Sequence, residues 1–204
     1  MESSTAHIPR IEIRRSLTPQ LASYRLEAER FIAERFRATH GARVRHFMPV
    51  LLGARHRDGG LVMVCGMRTA EQADAMFLER YLQQPAEAAL SPLLGARIAR
   101  ARLAEIGNLA VVAPATAREL ICALTDHLAT TSIDWVVFTG VAALRNAFRR
   151  LCIPMLDLGP AFLDALPLHE RSDWGTYYDS RPRVCAVSVH AALLATGQYR
   201  AEAA

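Results

Sequence analysis

The chain has 204 residues, 51% of them hydrophobic, a formal net charge of +4 and no lysine, all 24 basic residues being arginine. Such a length supports one domain with a real hydrophobic core, and the lack of lysine excludes Schiff-base chemistry and a P-loop lysine. The small net charge and scattered arginines describe a solvated surface with at most weak anion binding, not a nucleic-acid partner.

Ile8, Ile11 and Ile13 suggest an edge strand within residues 8–15. Thr18 and Pro19 read as the N-cap and first position of a helix. Its apolar stripe is Leu21, Tyr24, Ala28, Phe31, Ile32 and Phe36, and Gly41 ends it. Phe47–Ala54 and Leu61–Met67 form a hairpin about Arg57-Asp58-Gly59-Gly60. Asp74–Gln84 and Ala86–Leu94 read as short helices separated at Pro85. Leu103–Val112 is an apolar strand suited to the centre of a sheet, and the chain breaks at Ala113-Pro114. Ala117, Leu120, Ile121, Leu124 and Leu128 mark the buried stripe of the next helix. A strand at Trp135–Thr139, a helix at Leu144–Leu151, a short strand at Met155–Leu158 and a late strand at Arg183–Val189 follow. The expected fold is α/β, with a mixed, mostly antiparallel sheet flanked by helices. One domain spans residues 1–204, with 1–7 and 198–204 expected to be flexible.

Cys65, Cys122, Cys152 and Cys185 each lie in an apolar run, and no pair has metal-ligand spacing. Four buried free thiols and no metal are expected. The first ten residues, MESSTAHIPR, carry no signal-peptide core, and no segment approaches a membrane span, so the expected location is cytoplasmic.

Several side chains invite chemistry. Glu105 is a carboxylate in an apolar strand, costly unless paired or functional. It is either a base whose burial raises its pKa or the ion-pair partner of Arg68, Arg100 or Arg102. Asn108 lies on the opposite side of a regular strand from Glu105, unless a bulge at Gly107 brings the two together. It then either polarises a carbonyl or is a satisfied bulge asparagine. Arg68 ends a hairpin strand and either clamps a substrate carboxylate or pairs at the surface. Trp174, Tyr177 and Tyr178 cluster in SDWGTYYDSRP. Either a tyrosine, Tyr177, protonates a departing thiolate with a well-matched pKa, or the cluster is packing. His46 and His127 read as structural or surface residues.

The stretches FIAERFRATHGARVRHFMPVLL, GMRTAEQADAMFLERYLQQP, EIGNLAVVAP, WVVFTGVAALRNAFRRLCIP and WGTYYDSRPRVCAV together resemble the thermostable hemolysin family over most of the chain. That family is distantly similar to the acyl-homoserine-lactone synthases and, through them, to acyltransferases of the N-acetyltransferase fold. Those synthases carry a Glu-x-x-Arg-Phe motif on the central strand and an arginine after the preceding hairpin. Glu105 and Arg68 match; Asn108 and Leu109 stand where the motif has Arg and Phe, and the synthases' acidic pair has no equivalent in HFMPVLLGARH. These departures argue against lactone formation from S-adenosylmethionine. The glycine-rich pyrophosphate loop of ordinary N-acetyltransferases is replaced by VAPATAREL.

The resemblance implies an N-acyltransferase of secondary-metabolite or signal biosynthesis. It would move a medium or long acyl group from an acyl thioester, carried by an acyl carrier protein or coenzyme A, to the amine of a small acceptor such as an amino acid or a derivative. No permanently bound cofactor is implied. Glu105, Asn108 and Tyr177 are the catalytic candidates, and Arg68, Trp174, Tyr178 and Phe31 the substrate-binding ones. Leu109, Val111, Thr116, Ala117 and Arg118 would hold the thioester arm. Glu105 and Asn108 are expected to line one cavity between the Leu103–Val112 and Trp135–Thr139 strands. Phe31, Phe36, Met76, Phe77 and Trp174 are expected to line an acyl tunnel. The alternatives are a non-enzymatic membrane-active protein, as the family name suggests, and an inactive module that only binds acyl thioesters.

Overall fold

The computed structural model describes residues 20–55, 59–72, 74–113 and 116–202. Helix α1 (Gln20–His40) buries Tyr24, Ala28 and Ile32 at four-residue steps against Leu51, Val64 and Ala110. Gly41, at φ +66°, ends it and donates its N–H to the Arg37 carbonyl at 2.9 Å. Strands β1 (Val50–Arg55) and β2 (Leu61–Thr69) pair antiparallel. Strand β3 (Leu103–Val111) runs antiparallel to β2 and parallel to β4 (Trp135–Gly140), with helix α4 (Thr116–Ala129) as the crossover. Strand β6 (Arg183–Ser188) pairs antiparallel with both β4 and the edge strand β5 (Leu156–Pro160), giving the order β1-β2-β3-β4-β6-β5.

Both faces of the sheet are covered, because successive side chains point to opposite sides. Leu52, Met63, Cys65, Ala104, Ile106, Val136 and Val187 pack under α4, α5 (Ala142–Arg150) and α7 (Val189–Glu202). On the other face Val64 and Ala110 meet α1, while Leu103, Val137 and Val184 meet Ala86 and Leu90 of α3 (Ala86–Leu94).

Several expectations change. The strand expected within 8–15, the cap at Thr18-Pro19 and residues 56–58 of the hairpin turn lie outside the described residues. Strand β1 begins at Val50 rather than Phe47, because Asn108 takes the Met48 N–H. In place of a helix over 74–84 there is one turn, α2 (Glu79–Leu82). The Glu79 carboxylate accepts the Met76 N–H at 2.8 Å and the Ala86 N–H at 2.9 Å, and Glu105 accepts those of Phe77 and Leu78. Side-chain acceptors thus replace the helical ladder. Burial pushes Glu79 up, but the Arg100 ion pair and the two N–H bonds outweigh it and hold the group below its ordinary value.

Within the stretch expected to be flexible from 198, α7 continues through Gly197 to Glu202, and residues 203–204 lie outside the described residues. Ala192 and Ala195 are buried, and Arg200 makes two hydrogen bonds to Asp126 of α4, at 3.1 and 2.7 Å. The alanine-rich tail is therefore held by α4 rather than by its own propensity.

Cys65, Cys122 and Cys185 are buried, whereas Cys152 is exposed. Cys152 sits at φ +53° just beyond α5, between buried Leu151 and Ile153, so the turn that buries its neighbours swings it outward. Burial pushes the Cys65 thiol up to about 12 and Cys185 to about 11. A maleimide should therefore modify Cys152 rapidly in the native protein, and the other three only on unfolding. Rapid native modification of more than one thiol, read by intact mass, would contradict this burial pattern.

Candidate functional site

Strands β3 and β4 pair only from Leu103–Trp135 to Ile106–Phe138. Beyond that point β3 continues to Val111 without a partner on its β4 side, and a cleft opens through the sheet. A bulge accompanies the divergence. Gly66 faces Gly107 and Val64 faces Ala110, so Asn108 and Leu109 together oppose Cys65. Asn108, at φ +47°, is the residue in the left-handed region, one place beyond the expected Gly107. The extra residue changes the parity of the strand. Ala104 and Ile106 point towards α4, yet Ala110 points towards α1.

Glu105 lies on the α1 and α3 side, at 3% exposure. Its two carboxylate oxygens accept the Phe77 N–H at 3.0 Å and the Leu78 N–H at 2.9 Å. Burial pushes its pKa up; the two N–H donors and Arg68 pull it back, without cancelling the rise. Arg68 is its cross-strand neighbour on β2 and makes no side-chain hydrogen bond or ion pair with a described residue. Arg100 instead binds Glu79 and Glu87, and Arg102 binds Asp134. None of the ion pairs expected for Glu105 forms.

A cavity of about 340 Å³ occupies the cleft and is lined by Glu105, Asn108 and Arg68. Its wall includes residues of both faces, so it crosses the sheet. On the α1 side it meets Phe36, Phe77, Trp174 and Tyr177; on the α4 side it meets Leu120, Leu124, Phe138, Phe148 and Ala192. One end is therefore polar and aromatic and the other mostly apolar, with Thr125 of α4 as a polar side chain in its wall.

The remaining candidates separate. Leu109 and Val111 line the cavity. Thr116, Ala117 and Arg118 stand outside its lining. The Thr116 N–H and hydroxyl both donate to the Ala113 carbonyl, at 3.0 and 2.6 Å. Ala117 is buried in the core, and Arg118 lies 5.9 Å from the Tyr199 ring centre. Phe31 packs beside Tyr24 and Ile32, and Met76 is buried beside Leu78; neither is in the lining. Asn108 has its oxygen on the Met48 N–H at 2.9 Å and its nitrogen 3.4 Å from the His46 carbonyl, so the carboxamide ties the segment before β1 to the bulge.

Trp174 and Tyr177 line the cavity, while Tyr178 stands behind them, hydrogen-bonded to Tyr81. The Tyr177 hydroxyl donates to the Thr139 carbonyl at 3.4 Å. Burial raises its pKa well above the ordinary tyrosine value and that of Tyr178 to about 12. The expected match between a tyrosine and a thiol is lost: Tyr177 is a hydrogen-bond donor and a poor acid. The aromatic segment is strapped onto the end of α1. The Thr176 N–H meets the His40 carbonyl at 2.8 Å, the Arg43 N–H meets that of Asp173 at 2.6 Å, and Arg45 grips the Asp173 carboxylate.

Gly175 permits this approach. A Cβ there would lie 2.0 Å from the His40 carbonyl oxygen, and its φ is +49°. Gly175→Ala should therefore cost about 3 kcal/mol or more, through a backbone clash added to dihedral strain. The denaturation midpoint reads this; an unchanged midpoint would mean that the strap does not bear on α1.

The deep apolar wall was hidden in the sequence, where the α4 stripe signals burial without saying against what. Glu79 was missed as well, since a carboxylate in the middle of an expected helix carries no distinguishing mark. Among the described residues no cluster of His, Cys, Asp or Glu could hold a metal ion, and no helix is long and apolar enough to cross a membrane.

Comparison with solved structures places this architecture among known folds. The apo form of TofI superposes with a TM-score of 0.59 at 14% identity, over 92% of this chain and 96% of TofI. FeeM, an N-acyl amino acid synthase from uncultured soil microbes, gives 0.57 at 15% identity, over 89% of this chain and 92% of FeeM. BjaI, a CoA-dependent acyl-homoserine lactone synthase with SAM and isopentyl-CoA, gives 0.57 at 14% identity, over 93% and 88%. At such identities the likeness is one of fold, here the N-acetyltransferase-like α/β arrangement. No protein of curated function matches the sequence. The family model described as thermostable hemolysin matches residues 19–193, and the chain belongs to that family.

Proposed function

We propose that the protein is an N-acyltransferase that moves a medium or long acyl group from a thioester of coenzyme A or an acyl carrier protein to the amine of a small acceptor, such as an amino acid. The observation that carries this reading is the cavity crossing the sheet where β3 and β4 part: it joins a carboxylate and a free arginine at one end to an apolar pocket at the other. Few small-molecule reactions need both ends, and amide formation from a fatty thioester is one.

In this reading the acyl chain lies against α4, α5 and α7, and the acceptor lies between Glu105, Arg68 and the aromatic strap. The amine nitrogen attacks the thioester carbon, the C–N bond forms and the C–S bond breaks. Glu105 takes the proton shed by the nitrogen, and the sulfur leaves with the bonding electrons. Tyr177, kept protonated by burial, turns its single O–H from the Thr139 carbonyl to the sulfur and steadies it with a hydrogen bond, and the thiolate takes its proton from solvent. Backbone N–H groups of the Asn108–Val111 edge, left unpaired by β4, stabilise the oxyanion without reorganisation. The Asn108 role here is to shape the bulge that presents them. Arg68 draws in the acceptor's carboxylate.

The test is thiol release by the purified protein from acyl thioesters mixed with a panel of amines, together with mass spectrometry of the products. An N-acyl product and stoichiometric free thiol are expected. Vesicle leakage by the protein alone, with no thiol released from any thioester, would instead establish direct membrane activity; donor binding without turnover would establish an inactive module.

A further inference from the structure

If the protein uses a thioester on a phosphopantetheine arm, as proposed above, that arm's phosphate needs a cation or an array of N–H groups. In this chain the start of α4 is poorly furnished for it. The turn before the helix, VAPAT, has no glycine, the Thr116 N–H is already spent on the Ala113 carbonyl, and Arg118 is turned to Tyr199. The opposite bank of the cleft is different. Arg35 of α1 reaches across to the end of β3, where its Nη2 donates to the Val112 carbonyl at 3.1 Å. That bond fixes the guanidinium at the point where the splayed strand leaves the sheet. Arg35 lines the cavity, its Nε is buried without a partner, and it forms no ion pair with a described residue.

The charge balance of the cavity points the same way. Of the acidic residues in its wall, Asp173 is held by Arg45 and Glu170 by Arg80, leaving Glu105 to face Arg68. Arg43 also lines the cavity, but it is exposed beside Asp173, so Arg35 remains a half-buried cation with no anion assigned to it. A partly desolvated guanidinium with one nitrogen pinned to a carbonyl and no carboxylate partner suits a phosphate oxygen better than solvent.

We propose that Arg35 binds the phosphate of the donor's 4′-phosphopantetheine arm, the group that coenzyme A and a carrier protein share. Phosphate recognition thereby moves from the helix start after β3 to the helix across the cleft. The pantetheine chain then runs from Arg35 past Val111 and Leu109 to the reacting carbon beside Glu105.

The test compares octanoyl thioesters of pantetheine, 4′-phosphopantetheine, coenzyme A and an acyl carrier protein, in wild type, Arg35→Lys and Arg35→Met. Wild type should favour the phosphopantetheine thioester over the pantetheine one by about tenfold or more in kcat/KM, the worth of one charge-assisted contact. In Arg35→Met that ratio should collapse towards one, and Arg35→Lys, which keeps the charge without the fork, should fall between. The coenzyme A and carrier-protein arms then tell which source the site serves. Calorimetry with unacylated 4′-phosphopantetheine and pantetheine reads the same preference without turnover, so it stands even if no amine is acylated. Equal binding of the two by wild type, or a preference unchanged in Arg35→Met, would overturn the assignment. A variant that does not fold, shown by a lost thermal transition, is replaced by Arg35→Gln, read for the same ratio.

Discussion

Glu105→Gln should lower acyl transfer by about two to four orders of magnitude, the usual worth of a positioned base. The loss should fall mainly on kcat, since the donor is held elsewhere in the cavity. A pH profile adds a signature that a purely structural role would not give. Burial raises the Glu105 pKa, so the acid limb of kcat/KM should lie above the ordinary carboxylate range and vanish in the Gln variant. The stability effect has its own sign. A carboxyl that holds its proton more tightly when folded favours the folded state below its unfolded pKa. That contribution is lost as pH rises through the folded pKa. Ionised Glu105 is thus a burden near neutrality, offset by the N–H groups of Phe77 and Leu78. Glutamine offers one acceptor oxygen where the carboxylate offers two, and leaving one of these N–H groups unmet should cost about 1–3 kcal/mol. The variant should therefore be less stable as well as slower. If it is destabilised yet turns over as fast as wild type, Glu105 is a structural acceptor for the Phe77–Leu78 turn and has no part in the chemistry.

Donor preference should climb steeply with acyl length. Each methylene moved from water to the apolar end of the cavity adds about 0.8 kcal/mol, roughly fourfold in affinity. Six more methylenes, from an acetyl to an octanoyl thioester, should add about 5 kcal/mol, on the order of a thousandfold or more. The rise should stop where the chain meets the end wall. Filling that end with Leu124→Trp should move the optimum to shorter donors without abolishing transfer, because Leu124 lines the cavity on the α4 side, across the sheet from Glu105. Steady-state kinetics over a series of even-numbered acyl thioesters reads both effects. If acetyl donors serve as well as octanoyl ones, the apolar end does not hold the chain, and a small-group acetyltransferase becomes the better account.

What the sequence determined by itself is the six strands of the sheet, the helices α1 and α4, and the place of Glu105 within an apolar strand. The β-rich runs and the three- and four-residue stripes of α1 and α4 are local patterns, and local patterns fix which residues are buried together. A carboxylate in the middle of such a run is conspicuous because burying it alone is costly, so it must be met by something. What meets it was decided only in three dimensions. The arginines adjacent in sequence, Arg100 and Arg102, take Glu79, Glu87 and Asp134 instead, and the partners of Glu105 are two backbone N–H groups about which side-chain identity says nothing. The C-terminal helix was likewise invisible, since its alanines are small and its clamp, Arg200 on Asp126, joins residues distant in the chain. The α4 stripe shows the limit most clearly. Leu120 and Leu124 would read the same whether they filled a solid core or walled a cavity. The difference lies in the parting of β3 from β4 after Ile106 and in the extra residue at Asn108, a register that depends on three strands at once. Periodicity reports that a face is apolar; only the tertiary packing decides whether protein or a ligand fills the space it faces.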